Sequence, residues 1–152
     1  MRTGREVLIF VFRASEEGEQ VLLTHRCPDL GGFWHAVAGG VETGEADYEA
    51  AERELLEETG LDGGEALRLR CHSYSYSLLE ELPARRANYP PGTERIFVTC
   101  FRIDAPPGWE PTLNWEHDDS RWCGLKEAFK LLRWPTVRQA LATLSRNDVE
   151  RA

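Results

Sequence analysis

Glu54, Glu57 and Glu58 stand at positions i, i+3 and i+4 in the stretch GGVETGEADYEAAERELLEETGL, which runs from Gly39 to Leu61. On a helix turning about 100° per residue, these three carboxylates share one face. Like charges at that spacing repel by roughly a few tenths of a kcal/mol per pair, so the arrangement needs a cause. Glu45, Glu49 and Glu52 add negative charge, and Arg53 is the single basic residue between Gly39 and Leu61. A carboxylate cluster with so little internal neutralisation suits a hard divalent cation, Mg²⁺ or Mn²⁺, which takes oxygen ligands. A solvated acidic helix is the plainer reading, but such a helix usually carries Lys or Arg four residues after its Glu. Here Arg53 precedes Glu57 by four residues, close enough to hold that carboxylate. Ala46 and Ala50 lie near the carboxylate face and leave room for a loop or a ligand. Tyr48, Ala51 and Leu55 form an apolar stripe turned toward a core.

The same segment resembles the Nudix box, the signature of the Nudix hydrolase family, written G-x5-E-x7-R-E-U-x-E-E-x-G-U with U aliphatic. Every specified position is filled: Gly39, Glu45, Arg53, Glu54, Leu55, Glu57, Glu58, Gly60 and Leu61. The resemblance implies hydrolysis of a nucleoside diphosphate linked to another moiety, with a divalent metal. It also implies the family's α/β fold, an α/β/α sandwich around a mixed sheet.

A phosphoanhydride resists attack because its oxygens repel nucleophiles. Cations that withdraw charge and a positioned, deprotonated water overcome this. Glu57 and Glu58 are the first choices for metal ligands, and Glu54 is either a third ligand or the general base. Arg53 is expected to orient Glu57 by a charge-assisted hydrogen bond. Glu45 opens the helix, as helix start and loop anchor rather than as ligand, where a carboxylate favours the positive end of the dipole. Gly39 and Gly40 let the preceding loop bring a backbone carbonyl, that of Ala38, toward the metal.

Outside the box, Glu116 stands in Asn114-Trp-Glu-His-Asp-Asp ahead of a short strand. Family members often carry an acidic residue in the matching late loop, as ligand or base; a surface acidic loop is the competing reading. His117 is a proton carrier, a phosphate contact or an exposed loop residue, and the exposed reading is slightly favoured. Arg26, at the end of a strand, suits either a phosphate contact or a surface ion pair. Trp34 is placed either to stack on a base or pterin ring or to fill the core. Arg85, Arg86 and Tyr89 lie in a Pro-rich loop that either closes over substrate or simply connects.

The elements that must position these residues follow from pattern. Glu6–Arg13 is nearly continuous in apolar residues and reads as a central strand. Gln20–His25 reads as its hairpin partner, and Cys27–Gly32 as a loop. Phe33–Ala38 reads as a short strand entering a Gly39-Gly40 turn. The helix is expected from Glu45 to Thr59 with Gly60 as its cap. Ala66–Leu79 reads as one or two strands, Glu80–Gly92 as a loop, Thr93–Ile103 as a strand and Asp104–Asn114 as a second loop. Asp119–Gly124 is a short strand, followed by helices at Leu125–Leu132 and Thr136–Arg146. No repeat or linker divides the sequence, so one domain over residues 1–152 is expected.

With 152 residues, 41% hydrophobic and 29% charged, the chain is of ordinary globular composition. A net charge of −8 argues against a general nucleic-acid or anionic-membrane binder. It does not argue against a phosphate substrate, because a bound cation reverses the local sign. Cys27, Cys71, Cys100 and Cys123 form no C-x-x-C pair, which disfavours zinc; Cys100 and Cys123 read as reduced, partly buried thiols on strands. No apolar run nears the roughly 20 residues of a membrane span, and no signal peptide is visible. A cytoplasmic setting is the expectation, with a monomer or homodimer as the assembly.

A second, more diffuse resemblance joins Phe33-Trp34-His35-Ala36-Val37, Tyr89-Pro90-Pro91-Gly92-Thr93, Glu116-His117, Arg133-Trp134 and Arg138-Gln139-Ala140. These pieces look like the Nudix subgroup of dihydroneopterin triphosphate pyrophosphatases, also described as dATP pyrophosphohydrolases. That implies cleavage of a nucleoside or pterin triphosphate to monophosphate and pyrophosphate. Dinucleoside polyphosphate hydrolysis is the alternative, with a non-catalytic nucleotide-sensing domain behind it.

Overall fold

Val7 to Phe12 is an unbroken apolar run, the pattern of a strand covered on both faces. In the computed structural model, which describes residues 3–64 and 71–146, this run is the centre of a mixed seven-stranded sheet. Strand β1 (Arg5–Ser15) forms a hairpin with β2 (Gly18–Arg26) through a two-residue turn, Ser15 pairing with Gly18. On its other side β1 runs parallel to β6 (Arg95–Asp104), which pairs antiparallel with β5 (Cys71–Ser77).

The expected strand Phe33–Ala38 is divided into β3 (Trp34–His35) and β4 (Val37–Gly40). The division occurs because the chain changes partner: β3 pairs with β2, whereas β4 pairs with the first half of β1. Gly39 and Gly40 are thus strand residues and not a turn. Strand β7 (His117–Gly124) pairs with β2 and begins two residues earlier than its apolar pattern suggested.

Helix α1 (Asp47–Thr59) begins two residues later than expected. The Ala46 N–H donates to the Glu49 carboxylate at 2.9 Å, which satisfies one of the free donors at the helix start. Gly60 ends the helix at φ 80°, a left-handed conformation that costs glycine little. Asp47 anchors the first turn to the sheet, accepting from Arg5 at 2.5 Å and from Thr99 at 2.6 Å.

Alternation along β1 sets the layers. Val7, Ile9 and Val11 pack with Ala50, Ala51 and Leu55 of α1. Leu8, Phe10 and Phe12 face the opposite layer, made by α3 (Leu125–Leu131) and α4 (Pro135–Leu144). Truncating the fully buried Leu55 to Ala would cost about 2–5 kcal/mol and loosen α1 from the sheet.

The loop expected over residues 80–92 contains more structure than its Pro and charge content implied. A 3₁₀ turn at Leu78–Glu80 precedes the short helix α2 (Pro83–Arg86). Of the strand expected from Ala66, residues 66–70 lie outside the described residues. No helix among the described residues is long and apolar enough to cross a membrane.

Candidate active site

The site is built where α1 passes β4. A Cβ on Gly39 would sit 2.1 Å from the Glu54 carboxyl carbon, so only glycine admits this carboxylate against the strand. Arg53 locks the approach. Its Nε and one terminal nitrogen grip both oxygens of Glu45 at 2.9 and 3.0 Å. That same nitrogen donates to the Gly40 carbonyl at 3.0 Å, and the other donates to Glu54 at 2.7 Å. Glu57 is only 3.7 Å from Arg53 and half exposed, so the principal partners of Arg53 are Glu45 and Glu54, not Glu57 as the i, i+4 spacing suggested. Glu45 acts as loop anchor: it also accepts from the Glu42 N–H at 3.0 Å. Its pKa falls below the ordinary value because Arg53 bonds it.

Glu58 is the opposite case. It is 1% exposed, and neither carboxylate oxygen has a hydrogen-bond partner. Burial, then the adjacent Glu54 carboxyl and the charge of Glu116, push its pKa up to about 10. Burial also raises Glu54, against the pull of Arg53. The face that the sequence presented as an acidic surface is therefore mostly interior, with Glu54 and Glu58 inside and Glu57 at its rim.

The late loop folds onto this pair. The Asn114 side chain accepts from the Glu116 N–H at 3.2 Å, contacts His117 Nδ1 at 3.1 Å, and donates to Glu116 Oε1 at 3.2 Å. Glu116 Oε2 lies 3.6 Å from Arg26, and the Cys27 N–H donates to the Glu116 carbonyl at 2.9 Å. His117 is buried, not exposed, and its Nε2 stands 3.5 Å from Glu58. Strand β7 begins at His117 and carries the ring inward. Burial and Arg26 lower the His117 pKa, which keeps the imidazole neutral near pH 7.

Glu54, Glu57 and Glu116 line a cavity of about 900 Å³ together with Arg26, Ala38 and Gly39, and Glu58 and His117 lie behind that wall. Trp34 is not part of that lining: it lies against His25 at 5.0 Å, with the Arg121 guanidinium 5.0 Å from its ring. The aromatic wall is instead Phe33 and Trp134, whose rings meet at 5.2 Å and 90°.

The NUDIX domain model matches residues 2–144. The chain belongs to the NUDIX family. An RNA pyrophosphohydrolase of Rhodopseudomonas palustris is 30% identical over 132 residues, spanning 75% of each chain. The octanoyltransferase of Myxococcus xanthus is 31% identical over 137 residues, 90% of this chain; the chain spans only 35% of that protein's length. Among solved structures, the E. coli dihydroneopterin triphosphate pyrophosphohydrolase superposes with a TM-score of 0.75 at 25% identity, covering 95% of this chain and 96% of that one.

In this NUDIX hydrolase, no three His, Cys, Asp or Glu side chains among the described residues form a ready-made cation cage. The reason is visible: Arg53 draws Glu54 toward itself, and Glu57 points outward. The donor set nonetheless fits a hard divalent cation. Arg53 is the one guanidinium bonded to this pair, on the Glu54 side, and the two oxygens of Glu58 have no hydrogen-bond partner. A divalent ion is the charge that such a pair needs.

Residue pattern alone missed three participants. Asn114 was legible as the first residue of an Asn-x-Glu-His turn, since Asn readily bonds the backbone two residues on. His35 lines the cavity with its Nδ1 buried and unpartnered; burial and the charge of Arg26 hold its pKa down at about 3, so it stays neutral. Glu6 carries no sequence signal, because it reads as the first residue of an apolar strand.

Proposed function

We propose that this NUDIX hydrolase is a divalent-metal-dependent pyrophosphohydrolase of a small nucleoside or pterin triphosphate, releasing a monophosphate and pyrophosphate. The observation that carries the reading is the buried Glu54–Glu58 pair, both Glu58 oxygens unpartnered, behind a cavity large enough for a nucleotide that Glu54 itself lines. Glu58, Glu54 and Glu57, with the Ala38 carbonyl, would hold Mg²⁺ or Mn²⁺. When bound, such an ion supplies charge withdrawal from the phosphate oxygens and a lowered water pKa.

The chain's own residues do the rest. Arg26 contacts a phosphate at the cavity wall. Glu116 or Glu54 accepts a proton from the attacking water. The water oxygen forms the new P–O bond as the bridging P–O bond breaks, and pyrophosphate leaves. Arg53 is a positioning residue, since it aims Glu54 and ties the loop of Gly40 to α1. Trp134 and Phe33 stand where a heterocycle can stack, the role that Trp34 was considered for. A cytoplasmic site of action and a monomer or homodimer complete the reading. The activities of two relatives, an RNA pyrophosphohydrolase and a dihydroneopterin triphosphate pyrophosphohydrolase, support it.

The test is a panel with Mg²⁺: dihydroneopterin triphosphate, dATP, a 5′-triphosphate RNA and diadenosine tetraphosphate, with products separated by chromatography. Pyrophosphate and a monophosphate from the first two are expected, with all turnover lost in EDTA. Turnover in EDTA would overturn the metal assignment. Far faster cleavage of RNA or of diadenosine tetraphosphate would overturn the substrate class.

A further inference from the structure

The cavity wall carries acidic groups in more than one place. In one, the Tyr76 hydroxyl meets the carboxylates of Glu6 and Glu81, at 2.5 and 3.0 Å. In another, close to Glu58 of α1, the late turn presents Glu116. One residue closes that turn twice. The Asn114 carbonyl accepts from the His117 N–H at 3.2 Å, and the Asn114 side-chain oxygen accepts from the Glu116 N–H at 3.2 Å. Trp115 between them is left in solvent, while Glu116 is turned toward the cavity.

Asp or Ser two residues before Glu116 would also close such a turn. Asn does one thing more. Its amide nitrogen donates to Glu116 Oε1 at 3.2 Å, so the group that closes the turn also holds the carboxylate. Asp has no donor there, and Ser ends one bond short of the amide nitrogen. The amide is thus oriented from two sides, by an N–H that needs its oxygen and a carboxylate that needs its nitrogen. That oxygen also faces His117 Nδ1 at 3.1 Å, and since it has no proton to give, Nδ1 carries the ring hydrogen. Glu116 has a competing partner. Its Oε2 lies 3.6 Å from Arg26, an ion pair that stops short of a hydrogen bond. Arg26 Nε is buried, with no partner among the described residues. A carboxylate released at Oε1 would close on that guanidinium, because the charge-assisted bond is the stronger one. Glu116 would then not accept a proton in the cavity, and Arg26 would not face a phosphate.

We propose that Asn114 is a positioning residue that holds Glu116 off Arg26, so that a proton acceptor and a phosphate-binding cation stand side by side without neutralising each other. This rests on the roles given to Glu116 and Arg26 above. Asn114 does not line the cavity, so it acts through Glu116 and not by touching substrate.

The test is a double-mutant cycle, run with Mg²⁺ on whichever triphosphate of the panel above is cleaved fastest. Asn114→Ser keeps an acceptor for the turn, so its unfolding midpoint should stay near that of wild type. Its kcat should fall by about 10–100-fold, the scale of a misplaced catalytic group, and its KM should rise as Arg26 is occupied. In the Glu116→Gln background no charge is left to close on Arg26, and the same change should cost less than about twofold. Equal losses in both backgrounds would mean that Asn114 only shapes the loop, and would overturn the inference. If Asn114→Ser does not fold, a measurement on metal-free wild type decides: long-range ¹H–¹⁵N spectra above neutral pH should show His117 as the Nδ1–H tautomer. The Nε2–H tautomer would mean that the amide does not stand as argued, and would overturn it too. Wild-type kcat in Asn114→Ser beside a large loss in Glu116→Gln overturns this inference and leaves the role of Glu116 standing. Near wild-type kcat in Glu116→Gln overturns both.

Discussion

Two regions bury carboxylates, and they do so in opposite ways. Near the end of α4, Glu19 accepts from the Arg102 guanidinium, the Arg146 N–H and the Ser145 hydroxyl. Arg102 also donates to Asp104 and to the Leu144 carbonyl, while only 3% of its side chain is exposed. Burial pushes the Glu19 pKa up, but these donors outweigh it and the pKa falls below 4.5. At the site, Glu58 is more deeply buried than Glu19, faces Glu54 and Glu116, and accepts no hydrogen bond. The first region is a joint: it fastens α4 to β2 and β6. The second holds a carboxyl group that burial keeps protonated and unbonded, which a folded chain would not retain without another use. Stability and chemistry are thus separated in space, and the sign of the pKa shift marks which is which.

The largest effect should come from breaking the joint. Arg102→Leu removes the buried guanidinium that neutralises Glu19 and should cost about 3–5 kcal/mol. Chemical denaturation should report that loss, while kcat per folded molecule stays near wild type. A loss of kcat matching Glu58→Gln would erase the contrast between the regions.

Glu58→Gln should do the reverse. With metal, kcat should fall by about 10²-fold or more, because a charged ligand is lost. Without metal, the variant should be more stable than wild type by roughly 1–3 kcal/mol near neutral pH, since a neutral amide replaces a buried acid that must take up a proton to fold. On a chain of this length that amounts to a rise in melting temperature of about 2–12 °C. Equal or lower metal-free stability would count against the idea that Glu58 is held at a cost.

Glu116→Gln tests the link between the late loop and the box helix. A loss in kcat of about 10²-fold is expected with little change in unfolding midpoint. Asp118→Asn is the control, because Asp118 pairs with His25 on the exposed side of the same loop. Near wild-type kcat for Glu116→Gln would return the base role to Glu54.

The pH dependence separates the same two regions by sign. Glu19 has a folded pKa below its ordinary 4.5, so its stabilisation is full above that value and is lost as pH falls through the folded pKa. Glu58 has the opposite sign. Its folded pKa of about 10 lies above 4.5, so its contribution favours folding below pH 4.5 and is lost as pH rises toward 10. In metal-free protein, the stability gap between Glu58→Gln and wild type should therefore widen between pH 5 and pH 9. A gap that stays constant would show that the folded-state pKa of Glu58 is not raised above its unfolded value.

The two regions were not equally legible. The box announced itself because its spacing is local: Glu54, Glu57 and Glu58 belong to one helix, and helical geometry relates them without reference to anything else. The strands around it were legible for the same reason, since β1 and β2 carry the apolar pattern of a covered hairpin. The joint was invisible. Glu19, the Arg102/Asp104 pair and Arg146 are far apart in sequence, and each reads as a surface charge until β6 is laid beside β1 and α4 is docked.

What the sequence determined by itself was the inventory: an acidic helix in a NUDIX pattern, the strands that flank it, and a glycine where a carboxylate must pass. Only the tertiary structure decided which charges have partners. It turned Arg53 from Glu57 to Glu45 and Glu54, and buried His117 against Glu58. It placed Glu116 beside Arg26, moved Trp34 out of the cavity, and brought Glu6 to face Tyr76 and Glu81. Local spacing follows from the bonds between neighbouring residues. Burial, and with it the charge state of a carboxylate, depends on what the rest of the chain brings near, and that is set by strand register and helix docking across the whole sheet.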